Sequence, residues 1–118
     1  MISWNNLDTL SAYAKLQSLK GHVDLAAAMS GEGGAERVRD YSVPMACGLQ
    51  YNYAAKAVDG EVLDALKALA GEAQLIEKYA ALYNGEIINT GEKRRVLHQL
   101  TRGQLGDEIG RASWRERV

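Results

Sequence analysis

The sequence predicts an α/β fold that is rich in helices, and two patterns carry this prediction. In most of the chain, apolar residues recur at every third or fourth position, which gives an α-helix one apolar face. One short segment instead alternates apolar and polar residues with the two-residue period of a half-buried strand. Its residues are Leu49, Gln50, Tyr51, Asn52 and Tyr53. Because a lone strand cannot satisfy its backbone hydrogen bonds, we expect the residues that pair with it to be missing from the chain.

The first half of the chain predicts three helices. The first covers residues 4–20 and ends near Gly21, which is a natural helix stop. A shorter helix follows at residues 23–29 and has Asp24 in its first turn, where the helix dipole favours an anion. Residues 34–41 have the composition of a short third helix, after which a proline forces the backbone to extend.

The second half predicts two longer helices. Asp59 is placed to cap a helix over residues 60–70. The next helix runs over residues 72–83 and stops at the pair Asn84-Gly85, which is typical of a helix C-terminus. The side chains that we expect to face inward are Val62, Leu63, Leu66, Leu69, Leu75, Tyr79 and Leu82.

The most distinctive short motif is the turn at residues 90–94, Thr-Gly-Glu-Lys-Arg. Extended residues precede it, and residues 94–102 predict a final helix with an apolar face. Gly91 permits a tight turn, and a helix N-terminus flanked by Lys93 and two arginines could hold a phosphate. The simpler interpretation is a turn whose polar residues cap the helix and whose arginines are solvated.

Composition and charge exclude several classes of function. At 118 residues, with 47% hydrophobic and 25% charged residues, the chain suits one globular domain rather than a disordered tract. The formal net charge of -1 gives no general attraction to nucleic acid or to an anionic membrane. No stretch approaches the roughly 20 apolar residues of a membrane span, and the first residues lack the pattern of a signal peptide. We therefore expect a cytoplasmic protein with no nucleic-acid or membrane partner.

Few residues carry reactive chemistry. Cys47 is the only cysteine, which excludes an intrachain disulfide and a cysteine metal cluster, and we expect it to be small and buried rather than nucleophilic. The histidines are His22 and His98. For His98 we expect a packed or interface role rather than general base catalysis, because no Ser, Cys or Asp stands at a supporting spacing. No catalytic, cofactor-binding or metal-binding residue is predicted.

Two further patterns have simple structural explanations. Gly31, Gly33 and Gly34 resemble a phosphate-binding loop, but neither the preceding strand nor the following Lys-Ser/Thr of a P-loop is present. Several carboxylates lie on predicted amphipathic helices, where a solvated face explains them: Glu61, Asp64, Glu72 and Glu77. The residues by themselves therefore predict a mixed helical chain with one candidate anion-binding turn, and no enzyme.

A resemblance adds what the residues alone do not give. The stretch Asn84-Gly-Glu-Ile-Ile-Asn-Thr-Gly-Glu-Lys-Arg-Arg-Val-Leu-His98 resembles the Asn-Gly-Glu-x-Ile-Asn and Glu-x-Arg-x-Val-Leu-His pattern of the phosphoglucose isomerase family. The segments Trp4-Asn-Asn-Leu and Tyr51-Asn-Tyr-Ala-Ala-Lys56 are similar to parts of its amino-terminal region. The resemblance covers about residues 1–108. Many members have Thr where this chain has Gly91, so a role for that hydroxyl is not carried over.

The resemblance implies a fold and an activity. The fold would be the helix-rich N-terminal portion of an α/β/α sandwich of the sugar isomerase type, incomplete in this chain. The activity would be the interconversion of glucose 6-phosphate and fructose 6-phosphate in glycolysis and gluconeogenesis, by a cytoplasmic homodimer without metal or organic cofactor. A glutamate base moves a proton between C1 and C2 through an enediol, a histidine or lysine helps to open the ring, and a Ser/Thr cradle binds the phosphate.

None of the catalytic or phosphate-cradle motifs of the family falls within residues 1–108. The resemblance therefore implies an N-terminal fragment that is inactive alone, in which Arg94, the match to the family's arginine before Val-Leu-His, has a structural role. Residues 109–118 resemble a translated sequencing adapter, with Trp114 where that translation has Cys, and we expect them to be an artefactual tail. The alternative is a small helical partner-binding module without catalytic activity, which would use residues 93–95 and the face of His98.

Overall fold

The structure, a computed structural model, describes residues 1–98. The chain forms two compact units, one of residues Asp8–Leu69 and one that joins Met1–Leu7 to the residues from Ala70 onward. Within residues 1–98 the elements are α-helices and short antiparallel strands, which agrees with the predicted mixture of helix and strand. None of the helices in this part of the chain is long and apolar enough to cross a membrane.

The first unit contains three short helices, one hairpin and most of a longer helix. In chain order these are α1 (Ser11–Ser18), α2 (Leu25–Ser30), α3 (Gly34–Asp40), β1 (Ser42–Pro44), β2 (Gln50–Asn52) and α4 (Gly60–Glu72). The prediction of one helix over residues 4–20 is wrong in its first part. Leu7–Thr9 form a separate 3₁₀ turn, and Leu10 is extended at φ -85° and ψ 142°, so the α-helix begins only at Ser11.

The predicted strand exists, but its partner is in the same chain. β1 and β2 pair antiparallel, with Val43 opposite Tyr51. The expectation of a missing partner is therefore wrong, because Cys47 (φ 61°) and Gly48 (φ 73°) take left-handed conformations that help to reverse the chain between the two strands. The prediction of half-burial is also wrong, since all three residues of Gln50–Asn52 are exposed.

Two aspartates cap helices through side-chain hydrogen bonds. Asp24 Oδ1 accepts from the backbone N–H of Ala27 at 3.1 Å and begins α2. Asp59 Oδ1 accepts from the backbone N–H of Val62 at 2.9 Å and begins α4. Each aspartate satisfies a donor that the first helical turn leaves without an intrahelical partner. The predicted cap at Asp59 is confirmed, whereas Asp24, predicted within the first turn of its helix, is the N-cap that precedes it.

The second unit is built on α5 (Leu75–Tyr83) and a small hairpin of β3 (Ile87–Asn89) and β4 (Arg94–Arg95). Gln74, at φ 54°, separates α5 from α4. The side chain of Gln74 also binds the first residues of the chain. The N–H of Ser3 donates to its Oε1 at 2.6 Å, and its Nε2 donates to the carbonyl of Met1 at 3.1 Å.

The end of α5 is the predicted one. Asn84 is the C-cap and Gly85 has φ 76°. The N–H of Gly85 donates to the carbonyl of Leu82, and the N–H of Glu86 donates to that of Ala81 at 2.9 Å. These two bonds form a Schellman motif, which needs a left-handed residue after the C-cap and so explains the glycine.

Two predictions in this unit are wrong. Leu75 and Tyr79 were expected to face inward, yet both are exposed, and Ala81 is the buried side chain of α5. The helix contacts β3 of the same unit. The helix predicted over residues 94–102 does not begin at Arg94, because Arg94–Arg95 pair with β3 as a strand. Its later residues, and the predicted tail at 109–118, lie outside the described residues.

The buried apolar side chains of the described residues are small: Ala12, Ala54, Val62, Ala65 and Ala81. On α4 the buried positions are the predicted Val62 and the unpredicted Ala65, while Leu66 is exposed. Each unit thus packs through alanine and valine and leaves larger apolar side chains at its surface.

Candidate functional site

The turn at residues 90–94 is the loop of the β3–β4 hairpin. Asn89 Oδ1 accepts from the backbone N–H of Glu92 at 3.1 Å, and Lys93 takes a left-handed conformation at φ 54°. Arg94 Nη1 lies 3.7 Å from Glu92 Oε2, in a pair whose arginine side chain is 77% exposed. The phosphate hypothesis required a helix N-terminus at Arg94, but Arg94–Arg95 form strand β4 instead. The solvated turn is therefore the interpretation that the geometry supports.

A polar cluster in the first unit was not predicted. His22 Nε2 lies 2.9 Å from Asp59 Oδ2 and 3.3 Å from Glu61 Oε2, and Lys15 Nζ lies 3.4 Å from Glu61 Oε1. The cluster joins α1, which contains Lys15, and the following His22 to the N-terminus of α4. No spacing rule connects His22 with Asp59, so sequence reasoning had no signal for this contact.

The electrostatics of this cluster favour the ionised form of Asp59. The pKa of Asp59 lies below its ordinary value of 3.8, chiefly because its carboxylate accepts the hydrogen bond from the N–H of Val62. Partial desolvation opposes this shift, and the charge and hydrogen bond of His22 add to it. Asp59 therefore has two roles, as the cap of α4 and as the partner of His22.

We expect Asp59→Ala to lower the melting temperature at neutral pH, with a difference that disappears in acid. A carboxyl group whose pKa is lowered by folding stabilises the folded state above its unfolded pKa, and this contribution is lost as the pH falls through the folded pKa. Thermal unfolding from pH 7 to below the ordinary pKa of 3.8 measures the difference. Asp59→Asn keeps an acceptor for the cap and should lose less, and Asp64→Ala on the same helix should match the wild type at pH 7. A difference that grows in acid would contradict this account.

A second unpredicted network centres on Arg37 of α3. Its Nε donates to the carbonyl of Ala54 at 2.8 Å, and its Nη2 donates to the carbonyls of Lys56 and Val58, each at 2.8 Å. Its guanidinium also lies 4.3 Å from the ring centroid of Tyr41. The arginine thereby fixes the segment between β2 and α4. Since Nε and Nη2 already bind backbone carbonyls, its arrangement is structural.

The Arg37 network continues into a row of aromatic rings. Tyr41 stacks on Tyr53 with 5.0 Å between centroids, and Tyr53 stacks on Tyr51 at 6.3 Å. Asn52 fixes the same hairpin to α3, because its Nδ2 donates to the carbonyl of Val38 at 2.6 Å. The β1–β2 hairpin is thus held by side chains rather than by a second layer of sheet.

The remaining candidate residues are exposed. Cys47 is exposed, so the prediction of a buried cysteine is wrong, because the residue lies in the connection between β1 and β2. His98 is exposed at the end of the described residues. The carboxylates that were assigned to a solvated face are all exposed: Glu61, Asp64, Glu72 and Glu77. Within residues 1–98, no group of three His, Cys, Asp or Glu side chains could hold a metal ion.

The glycines at 31, 33 and 34 lie between two helices rather than after a strand. Gly31 is the C-cap of α2, Gly33 is the N-cap of α3 and Gly34 is its first residue. Gly34 is buried against the backbone of Met29. Close helix packing, not phosphate binding, accounts for the glycine at position 34.

The sequence profile described as phosphoglucose isomerase matches residues 52–111, which include α4, α5 and the β3–β4 hairpin. The chain belongs to the phosphoglucose isomerase family. A glucose-6-phosphate isomerase of Treponema denticola is 49% identical over 114 residues, which is 92% of this chain and 21% of the relative. One of Treponema pallidum is 52% identical over 101 residues, which is 86% of this chain and 19% of the relative.

More distant relatives carry the same description. A glucose-6-phosphate isomerase of Borrelia garinii is 38% identical over 110 residues and covers 92% of this chain. The chain spans about a fifth of the length of the curated relatives it matches. No solved structure matches it significantly.

Proposed function

We propose that this chain is the N-terminal supporting region of a glucose-6-phosphate isomerase, the enzyme that interconverts glucose 6-phosphate and fructose 6-phosphate. The observation that carries the proposal is the identity of about half of the aligned residues with two isomerases of that name. The family profile also covers the hairpin of residues 87–95, where the sequence resemblance is most specific.

The chemistry of the reaction defines what this region contributes. An aldose–ketose conversion needs a base that moves a proton between C1 and C2, in a site that excludes water from the enediol. Within residues 1–98 the acids on α4 and α5 are exposed, and Glu61 and Asp59 are engaged with His22. The proposal therefore assigns support to this region and places catalysis elsewhere in the isomerase. It further includes the α/β/α sandwich, the homodimer and the cytoplasmic location.

A hybrid enzyme tests this proposal. In this hybrid enzyme, the aligned residues of the chain replace the corresponding segment of the Treponema denticola isomerase. An assay that couples glucose 6-phosphate to NADPH formation measures turnover from fructose 6-phosphate. We expect the hybrid enzyme to reach within about tenfold of the intact relative's kcat/KM, and the 118-residue chain alone to show no turnover above background.

The controls separate folding from function. The intact Treponema denticola isomerase gives the reference rate, and circular dichroism establishes that the hybrid enzyme is folded. A folded hybrid enzyme without isomerase activity would contradict the proposal. Turnover by the isolated chain would contradict the assignment of catalysis to other residues.

A further inference from the structure

The α5 helix exposes its largest apolar side chains. Leu75 is 55% exposed, Ile76 76% and Tyr79 64%. Because an α-helix turns by about 100° per residue, these three positions lie on one face, which we call the outer face of α5. The buried Ala81 comes two residues after Tyr79 and so lies about 200° around the helix. The helix thus packs within its own unit through an alanine and presents its larger apolar surface outward.

The composition of α5 is that of a helix buried on more than one side. Its sequence is LIEKYAALY, in which the charged residues are Glu77 and Lys78. A surface helix normally has one apolar stripe and a broad polar face. Ile87, on the strand that α5 contacts, is exposed as well. A cluster of large exposed apolar side chains marks an interaction surface.

We propose that the outer face of α5 docks onto the remainder of the isomerase polypeptide. The inference rests on the proposed function. It is supported by the length of the relatives, because the aligned residues make up only 21% and 19% of the two Treponema isomerases. About four fifths of such a polypeptide is covalently attached to this region, and a tethered surface acts at an effective concentration of the order of millimolar. The attached part of the polypeptide therefore binds the outer face of α5 in preference to a second copy or a separate protein.

The chemistry of the face defines its counterpart. Two aliphatic side chains and a tyrosine ring require an apolar surface on the other side, with a hydrogen-bond acceptor or water near the phenol. Lys78 is engaged within its own unit, where its ammonium lies 5.3 Å from the ring centroid of Trp4. The outer face is thus uncharged, which suits an interior contact of a larger enzyme.

The test places one double substitution in two settings. Ile76→Lys with Tyr79→Lys is introduced into the 118-residue chain and into the hybrid enzyme. In the isolated chain both side chains are exposed, so the melting temperature should change by less than about 2 °C. In the hybrid enzyme two lysines would be buried without partners, so we expect a melting temperature lower by about 5 °C or more and at least a tenfold loss of soluble, active enzyme.

A substitution on the opposite side of α5 provides the matched control. Glu77→Lys also introduces a lysine, about 200° from Leu75, and should leave the hybrid enzyme unchanged. A double variant of the hybrid enzyme as stable and active as its parent would overturn the inference. So would a dimer of the isolated chain that the double substitution dissociates, because it would assign the face to a second copy. An inactive unsubstituted hybrid enzyme would count against the proposed function, whereas the melting temperatures of its variants would still decide the docking.

Discussion

Replacing Arg37 by alanine is expected to lower the free energy of unfolding by about 2–4 kcal/mol. The side chain donates to three backbone carbonyls, those of Ala54, Lys56 and Val58. A hydrogen bond from a charged donor contributes roughly 1.5–3 kcal/mol, although such contributions are not additive, and the stacking on Tyr41 adds to them. The alanine variant removes the guanidinium from these carbonyls, although that of Lys56 still accepts from the N–H of Val58. The segment that precedes α4 thereby loses this attachment to α3.

Arg39 provides a matched control on the same helix. Its side chain is 72% exposed, and its Nε lies 3.1 Å from Oδ1 of its neighbour Asp40. Arg39→Ala should change the free energy of unfolding by less than about 0.5 kcal/mol, as is usual for a surface ion pair. Arg37→Lys keeps the charge but not the planar fork and should fall between the two. Urea unfolding measures all three variants, and equal losses for Arg37→Ala and Arg39→Ala would contradict the role given to Arg37.

The second large effect is expected at Gly34, where α2 and α3 approach each other. A Cβ at this position would collide with the backbone carbonyl of Met29. Because the obstacle is backbone rather than the end of a flexible side chain, relief requires one helix to shift. Forcing extra atoms into a packed site costs roughly 1–3 kcal/mol, so Gly34→Ala should destabilise the chain by about 2 kcal/mol.

The neighbouring Gly33 is the control for this prediction. A Cβ at Gly33 meets no atom within 4 Å, and its φ of -78° is accessible to alanine. Gly33→Ala should therefore be neutral or stabilise the chain slightly, because alanine restricts the unfolded state. Thermal and urea unfolding of the two single variants give the comparison. A Gly34→Ala variant as stable as Gly33→Ala would show that the helices do not meet at this point.

The sequence predicted those features that depend on neighbouring residues. Asp59 accepts from the N–H three positions later, and Gly85 ends α5 through bonds within one turn. These motifs are local, so the residue type and its position suffice. The family resemblance at residues 84–98 could likewise be recognised from the sequence, because it depends on the order of residues alone.

The features that escaped prediction either have no signal in the residue types or depend on distant parts of the chain. The pairing of β1 with β2 needs left-handed conformations at Cys47 and Gly48. A cysteine rarely adopts this conformation, so its presence does not predict the turn. The carbonyl acceptors of Arg37 are backbone atoms that carry no sequence signal. On α5 the periodicity located an apolar face correctly but could not tell which face its own unit covers, so Tyr79 was assigned inward.

We propose that these residues support an isomerase site without contacting its substrate. The kinetics of Arg94→Ala in the hybrid enzyme test it most directly, because Arg94 is an exposed cation within the most specific part of the family resemblance. We predict that kcat and KM for fructose 6-phosphate stay within about twofold of the unsubstituted hybrid enzyme. An increase in KM of about tenfold or more at an unchanged melting temperature would show that Arg94 binds the phosphate, and would contradict the claim.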